Sequence, residues 1–187
     1  MNDEIKKTCE VLRRGGLILY PTDTVWGIGC DATNEEAVAG VYRIKRRADH
    51  KALIVLMDTA ARLDDYVTDF PEIALDLIEV SEKPLTIIYP GARNLAPNLT
   101  AEDGSVGIRI TKERFSQALC RAFKRPLVAT SANISGEVSP RNFSEISREI
   151  LLAVDYVVDY RRDENIRSTP SSIIKLGRKA QIEIIRQ

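Results

Sequence analysis

Three short polar side chains follow a predicted strand near the start of the chain. Thr22, Asp23 and Thr24 come after the apolar run 17–20 and after Pro21, which has no N–H to give to a sheet. In open α/β sheets, ligands bind beyond the ends of strands. The three residues are therefore candidates for contacting a ligand. The alternative is that Thr and Asp serve only the turn into a second strand.

The most basic stretch of the chain is residues 43–51, between a predicted helix and a predicted strand. It contains Lys45, Arg47 and Lys51. If the local backbone is extended, Lys45 and Arg47 point to the same side. A lysine beside an arginine then suits a polyphosphate. The alternative is a solvated basic helix end, which also suits the helix dipole.

A third group of polar side chains lies at the end of the predicted strand 127–130. Thr130, Ser131 and Asn133 come there, followed by a loop rich in glycine and serine. Hydroxyl and amide groups hold phosphate oxygens or a nucleobase without adding charge. The alternative is a turn formed by the Asn and Ser side chains. All three groups follow strand ends, which predicts one shared crevice.

Helix-like and strand-like segments alternate along the chain, which predicts a single α/β domain spanning residues 1–187. Thr33 and Glu36 have the spacing of a capping box, which predicts that Thr33 caps the second helix. The third helix should place Leu77 and Val80 inward. The predicted helices cover residues 5–12, 33–44, 69–80, 115–123 and 142–150, and the predicted strands cover 17–20, 53–57, 85–89, 106–110, 127–130, 154–159, 173–175 and 182–185.

The composition is that of an ordinary globular protein. The chain has 187 residues, with Lys+Arg 27 balanced by Asp+Glu 27, so bulk neutralisation of nucleic-acid phosphates is disfavoured. Three widely spaced cysteines suggest no disulfide framework or zinc site. The N-terminus is charged rather than apolar, and no apolar run is long enough to span a bilayer. We therefore expect a soluble cytoplasmic protein that does not bind a membrane.

Common catalytic motifs are absent from the sequence. There is no GxxxxGK[ST] phosphate loop and no GxGxxG after a strand. His50 is the only histidine and lies among basic residues, so a serine triad is disfavoured. Histidine and cysteine do not occur at metal-ligand spacing.

An ordered set of motifs resembles the threonylcarbamoyl-AMP synthase family, which has the YrdC/Sua5 domain. Any one of these motifs is weak alone, but the ordered set is specific and spans nearly the whole chain. The motifs are Pro-Thr-Asp-Thr-Val-Trp-Gly-Ile-Gly-Cys-Asp-Ala from Pro21, the pair Lys45-x-Arg47, Lys83-Pro-Leu-Thr86, Arg109, and Thr-Ser-Ala-Asn-Ile-Ser-Gly ending at Gly136.

The resemblance implies a fold and a reaction. The fold would be α/β and YrdC/RibB-like, a single-domain, twisted, open mixed sheet with flanking helices around a positively lined cavity. The enzyme, a nucleotidyltransferase, would join L-threonine, bicarbonate (or CO2) and ATP into threonylcarbamoyl-AMP and release pyrophosphate. Its product would serve a downstream tRNA threonylcarbamoyl-transferase complex that makes N6-threonylcarbamoyladenosine at position 37 of tRNA. Weak direct binding of tRNA is left open.

The resemblance also implies roles for individual residues. Lys45 and Arg47 would be catalytic, and Mg²⁺ would bridge the phosphates, although the sequence identifies no Mg²⁺ ligand. Substitution of Lys45 or Asn133 by Ala should abolish activity and leave the fold intact, because neither residue is expected in the core. The implied ATP-binding residues are Lys45, Arg47, Lys51, Ser131, Asn133 and Arg186, and the implied threonine-binding residues are Thr22, Thr24, Arg109 and Ser172.

The chain departs from the family pattern at Ala48, Ala52 and Thr111, where relatives often have proline or a neighbouring Pro-Leu. These losses concern loop rigidity more than chemistry. The C-terminal extra domain of the longer family branch is expected to be absent. Two other interpretations remain: a non-catalytic RNA- or nucleotide-binding module of the same fold, and a carbamoyl-transfer relative without its zinc-finger and acylphosphatase-like regions.

Overall fold

The computed structural model describes residues 1–46, 53–68, 70–164 and 170–187. The predictions for Arg47, Lys51, Ala48 and Ala52, and the predicted start of the third helix at residue 69, lie outside these residues.

Within the described ranges, nine strands form one mixed sheet, which confirms the predicted α/β fold class. The sheet order is β7-β1-β2-β6-β3-β5-β4-β8-β9. The strands are β1 (Ile18–Tyr20), β2 (Gly27–Gly29), β3 (Ile54–Met57), β4 (Leu85–Tyr89), β5 (Val106–Ile110), β6 (Leu127–Ser131), β7 (Tyr156–Val157), β8 (Ser172–Leu176) and β9 (Ile182–Arg186).

Five α-helices flank the sheet in the described part of the chain, together with three short 3-10 helices. None of the described helices combines the length and apolar character needed to cross a bilayer. The α-helices are α1 (Asn2–Arg13), α2 (Glu35–Lys45), α3 (Ile73–Val80), α4 (Arg114–Phe123) and α5 (Arg148–Ala153), and the 3-10 helices are Ala60–Asp65, Pro97–Leu99 and Phe143–Glu145.

Strand β6 joins the two halves of the sheet. It pairs antiparallel with both β2 and β3, so that Ser131 lies opposite Gly27 and Ala129 lies opposite Ile54. The tight approach of β1 to β2 explains one glycine. A Cβ on Gly29 would lie 2.5 Å from Cε1 of Tyr20 and 2.6 Å from the carbonyl oxygen of Val128. Only glycine fits there without displacing backbone.

The two faces of the sheet are covered unequally. Alternate residues Val55 and Met57 of β3 belong to the larger core cluster, with residues of α2 and α3. On the opposite face, Leu56 packs in a second cluster with α1 and α4, represented by Leu12 and Phe115. These two helices cover only one end of that face. Over the rest of it, the sheet forms the floor of a cavity.

The predicted elements agree with the structure in order and type and differ locally. The strand predicted over 154–159 is only Tyr156–Val157, and α3 begins at Ile73, with residues 70–72 outside the helix. Asn34 rather than Thr33 caps α2, because Asn34 Oδ1 accepts a hydrogen bond from Ala37 N at 3.1 Å. The predicted helix 142–150 is divided into a 3-10 turn and α5, since Ser147 starts a new helix with its own cap. Val80, the last residue of α3, is 72% exposed, so its predicted inward position is wrong.

Candidate active site

A cavity of about 790 Å³ lies over the partly covered face of the sheet. Strands β2 to β6, β8 and β9 all contribute to its lining. The structure brings five of the predicted site residues to it: Thr22, Thr24, Arg109, Ser131 and Arg186. The site was predicted as a crevice beyond the strand ends. The structure instead shows a cavity that extends across one face of the sheet, since residues along the strands, such as Ile54, Gly107 and Ile173, line it.

The turn after β1 is fixed by hydroxyl hydrogen bonds. Thr22 Oγ1 donates to Val25 O at 2.7 Å and accepts from Thr24 N at 3.1 Å. Since the Thr22 hydroxyl proton is already used, Thr24 Oγ1 is the donor across the 3.1 Å between the two hydroxyls. The lone pairs of Thr24 Oγ1 then accept from Arg109 Nη2 at 3.3 Å. The Thr-Asp-Thr turn thus holds the arginine from one side.

Arg109 is a buried cation with unused hydrogen-bonding capacity. It projects from β5, is 4% exposed, and lies with Nη2 3.0 Å from Asp23 Oδ1. Within the described residues, its Nε is buried and has no hydrogen-bond partner. Burial raises the pKa of Asp23, while the positive charge of Arg109 acts in the opposite direction. A guanidinium that lines a cavity suits an anionic ligand.

A β-bulge brings Arg186 to the cavity. Ile184 pairs with Ile174, but Arg186 pairs with Ile173, so β9 has one extra residue at Ile185. Without the bulge, strict alternation would place Arg186 on the same face as Ile184, away from the cavity. With it, both Ile185 and Arg186 line the cavity.

Arg186 is anchored by Ser171. Its Nε donates to Ser171 O at 2.9 Å, and Nη2 lies 3.4 Å from Ser171 Oγ. Burial and the nearby charge of Arg109 both lower the pKa of Arg186. The two guanidinium groups therefore make this end of the cavity positive.

Sequence reasoning missed Ser171 and Thr86, which line the cavity. Their hydroxyl oxygens lie 2.9 Å apart and both residues are almost fully buried. The predicted residue Ser172 does not line this cavity but borders a shallow depression beside Lys83. Alternation along β8 was the available signal, because Ser171 shares the face of Ile173.

Lys45 and Asn133 lie beneath the cavity wall and are not among its lining residues. The Lys45 ammonium donates to Ser131 O at 2.6 Å and to Asn133 O at 2.8 Å. The Asn133 amide donates to Ile134 O at 2.8 Å and to Glu137 O at 2.9 Å. Both side chains therefore hold the backbone of the loop after β6.

The expectation that these two residues lie outside the core is wrong, because Lys45 is 2% and Asn133 is 9% exposed. Lys45 is also the last residue of α2, so the extended backbone assumed for it is wrong. The buried ammonium is tolerated because carbonyl dipoles compensate its charge. Substitution of Lys45 or Asn133 by Ala is therefore expected to destabilise the fold, contrary to the prediction from the sequence.

The remaining charged residues of the lining belong to β8 and to the loop before β5. Lys175 of β8 pairs with Asp103 at 2.9 Å, next to Glu102 in the loop before β5. Hydrogen bonds from Ser105 and Lys175 lower the pKa of Asp103 to about 2. Among the described residues, no group of three or more His, Cys, Asp or Glu side chains is placed to hold a metal ion.

The structure is an α/β fold with a cavity over one face of an open mixed sheet, and the two arginines in its lining suit an anionic small molecule. The Sua5/YciO/YrdC family model, described as "Telomere recombination", matches residues 10–187. The chain therefore belongs to the Sua5/YciO/YrdC family.

Individual relatives agree with that membership. Threonylcarbamoyl-AMP synthase of Pseudoalteromonas translucida is 34% identical over 155 residues, covering 81% of this chain and 82% of the relative. The structure of Escherichia coli YciO has a TM-score of 0.86 at 22% identity, covers 100% of this chain and 90% of YciO, and shows the fold alone. P. abyssi Sua5 complexed with L-threonine has a TM-score of 0.82 at 26% identity over 92% of this chain, which spans 50% of that structure.

Proposed function

We propose that this protein is a threonylcarbamoyl-AMP synthase acting in the formation of N6-threonylcarbamoyladenosine in tRNA. It joins L-threonine, bicarbonate and ATP and releases pyrophosphate. Family membership and relatives named as synthases support this reaction over a non-catalytic RNA-binding module. The observation that carries the proposal is the convergence of Arg109, Arg186 and the Thr22–Thr24 turn on one cavity.

Threonine binds at the Arg109 end of the cavity in this proposal. The threonine carboxylate accepts hydrogen bonds from the part of the guanidinium that lines the cavity. Thr24 accepts a hydrogen bond from the arginine, Thr22 holds Thr24, and both residues border the space for the substrate. The P. abyssi Sua5 structure with L-threonine supports threonine as the ligand.

ATP occupies the neighbouring part of the cavity, with Ser131 and Arg186 as proposed contacts. The predicted contacts of Arg47 and Lys51 belong to the same proposal. Mg²⁺ is expected to arrive with ATP as its magnesium complex, because Mg²⁺ commonly binds substrate phosphates with few protein ligands. In the described lining, Asp103 is already paired with Lys175, so we assign no protein ligand to the ion.

The reaction needs positioning and charge neutralisation rather than a protein nucleophile. The threonine amine adds to bicarbonate and water is lost, giving the N-carboxylate. One oxygen of this carbamate attacks the α-phosphorus of ATP. The bond from that phosphorus to the bridging oxygen breaks, and pyrophosphate leaves with the electron pair. Positive side chains in the cavity stabilise the charge that develops on the phosphates.

Lys45 supports this chemistry from beneath in our proposal. Its ammonium holds the carbonyl groups of Ser131 and Asn133, which fixes the loop that presents the Ser131 side chain. The predicted contact of Lys45 or Asn133 with ATP requires their side chains to leave the partners described above. We further propose a single domain over residues 1–187, a cytoplasmic location, and a downstream threonylcarbamoyl-transferase complex as the consumer of the product.

The test is pyrophosphate release from ATP with threonine and bicarbonate omitted in turn. Release that requires both, with threonylcarbamoyl-AMP detected by mass spectrometry, supports the synthase. Arg109→Met should abolish this release. Arg125→Met is the matched control, because Arg125 also pairs with a buried aspartate, Asp31 at 2.8 Å, and does not line the cavity.

Two outcomes would contradict the proposal. Release without threonine would show another acceptor for the adenylyl group. No release, together with salt-sensitive tRNA binding and no ATP binding, would favour the RNA-binding module.

A further inference from the structure

Asp23 and Arg109 form an ion pair that separates two cavities. Arg109 lines the large cavity, and Asp23 is not among its lining residues. Asp23 instead lines a smaller cavity of about 210 Å³, with Lys112 and Glu113 at its border. The carboxylate therefore lies behind the guanidinium as seen from the substrate cavity. A substrate there meets Arg109 and not Asp23.

The pair is close but incompletely hydrogen-bonded. Asp23 Oδ1 lies 3.0 Å from Arg109 Nη2, and the two side chains are 11% and 5% exposed. Within the described residues, neither Asp23 Oδ1 nor Arg109 Nε has a hydrogen-bond partner of good geometry. Asp23 thus compensates the arginine charge at Nη2. Because Arg109 also lines the large cavity, its guanidinium can meet a second carboxylate there.

The other side chains near Arg109 do not supply the negative charge that Asp23 supplies. Thr24 supplies a neutral acceptor at 3.3 Å, which orients Nη2 but carries no charge. Glu113 accepts hydrogen bonds from the first turn of α4 and lies 3.3 Å from Arg161 Nη1. Asp23 is therefore the anionic partner that the structure places on Arg109.

We infer that Asp23 is a positioning residue, which fixes the Arg109 guanidinium so that the part of it lining the large cavity receives the carboxylate of the amino-acid substrate. The inference rests on the proposed function of the cavity. It separates two roles within the Thr-Asp-Thr turn: the threonines face the substrate cavity, whereas the aspartate acts through the arginine from behind.

The test is Asp23→Asn, which keeps the shape of the side chain and removes its charge. Threonine binding is followed by the fluorescence of Trp26, the only tryptophan of the chain, which neighbours the turn. We expect the Kd for L-threonine to rise about tenfold, and KM to rise with little change in kcat, because the carboxylate contact exists before and during the reaction.

The decisive readout is discrimination between L-threonine and L-threonine amide, which lacks the carboxylate. The wild type should prefer threonine, and Asp23→Asn should lose most of that preference. Asp31→Asn is the matched control, because Asp31 is also buried and paired with an arginine, at 2.8 Å, outside the cavity. It should change stability and leave the preference intact. An Asp23→Asn protein with wild-type preference would overturn the inference.

Two further variants keep the test sharp. In an Arg109→Lys background, Asp23→Asn should have little additional effect on threonine affinity, and a full second loss would contradict action through Arg109. If Asp23→Asn fails to fold, Asp23→Ala decides, since it also removes the carboxylate from Arg109. A folded Asp23→Ala protein that loses the preference supports the inference, and one with wild-type preference overturns it. If the wild-type protein binds threonine but releases no pyrophosphate, that result contradicts the proposed function and leaves the inference about Asp23 standing.

Discussion

Replacing Lys45 by methionine should destabilise the protein as well as inactivate it. Methionine keeps the length and apolar stem of lysine but donates no hydrogen bonds. The substitution removes the bonds from Nζ to Ser131 O and Asn133 O. In the variant, Ser131 O still accepts a hydrogen bond from Asn133 N at 2.9 Å. The loss of the lysine bond therefore affects the carbonyl of Asn133 more than that of Ser131.

The magnitude follows from two opposing terms. Each hydrogen bond from a charged donor contributes about 1.5–3 kcal/mol, so two of them account for about 3–6 kcal/mol. Removing the buried ammonium recovers several kcal/mol of desolvation. The net loss should be about 1–3 kcal/mol of unfolding free energy. For a chain of this size that corresponds to a Tm lowered by about 2–12 °C.

The assay compares thermal and urea unfolding of Lys45→Met with pyrophosphate release measured well below both melting temperatures. Lys112→Met is the matched control, since Lys112 Nζ donates to Ser81 O at 2.7 Å on the surface. It should change stability by less than about 0.5 kcal/mol. A Lys45→Met protein with wild-type stability and no activity would refute the reasoning. That result would show that the ammonium serves the substrate rather than the loop.

Three further substitutions test other parts of the structure. Arg186→Met should weaken ATP binding about tenfold by isothermal titration, through loss of one charged contact; unchanged affinity would remove Arg186 from the nucleotide site. Gly29→Ala should lower the free energy of unfolding by about 1–3 kcal/mol, because the added Cβ meets Tyr20 and backbone. The change is measured by urea unfolding, and an unchanged urea midpoint would contradict that packing. Asp103→Asn should cost less than about 1 kcal/mol, since the pair with Lys175 is exposed. The folded-state pKa of Asp103 is lowered, so its stabilisation is fully present above about pH 4 and is lost as the pH falls through 2. A cost of the substitution that is undiminished at pH 2 would contradict this assignment.

The sheet could be predicted from the sequence where apolar runs are bounded by Pro and Gly. Strands β4 and β5 have the predicted bounds, because an apolar run between turn residues marks where a buried strand begins and ends. Helix faces were also predictable from spacing, as Phe115, Leu119 and Phe123 of α4 are all buried. The exposed position of Val80 was not, because the last turn of a helix extends past the surface that it covers.

Residue types alone could not show which charged groups face the cavity. A lysine in a basic run is ordinarily solvated, yet Lys45 is buried by the loop after β6, which is distant in sequence. Arg47 and Lys51 remain predictions. Likewise, Ser171 and Ser172 are adjacent serines, and only the phase of β8 decides that Ser171 enters the site.

The position of Arg186 in the cavity could not be predicted from the alternation of residues along β9. Alternation along Ile182–Arg186 places Ile184 and Arg186 on one face, and that face carries the buried Leu176 and Ile174 of β8. The bulge at Ile185 reverses the last residue, so that a cation enters the cavity while the apolar side chains keep their face. The register of β9 on β8 therefore decides the charge of the site. That register depends on how the two strands pair and cannot be predicted from the sequence of either strand alone.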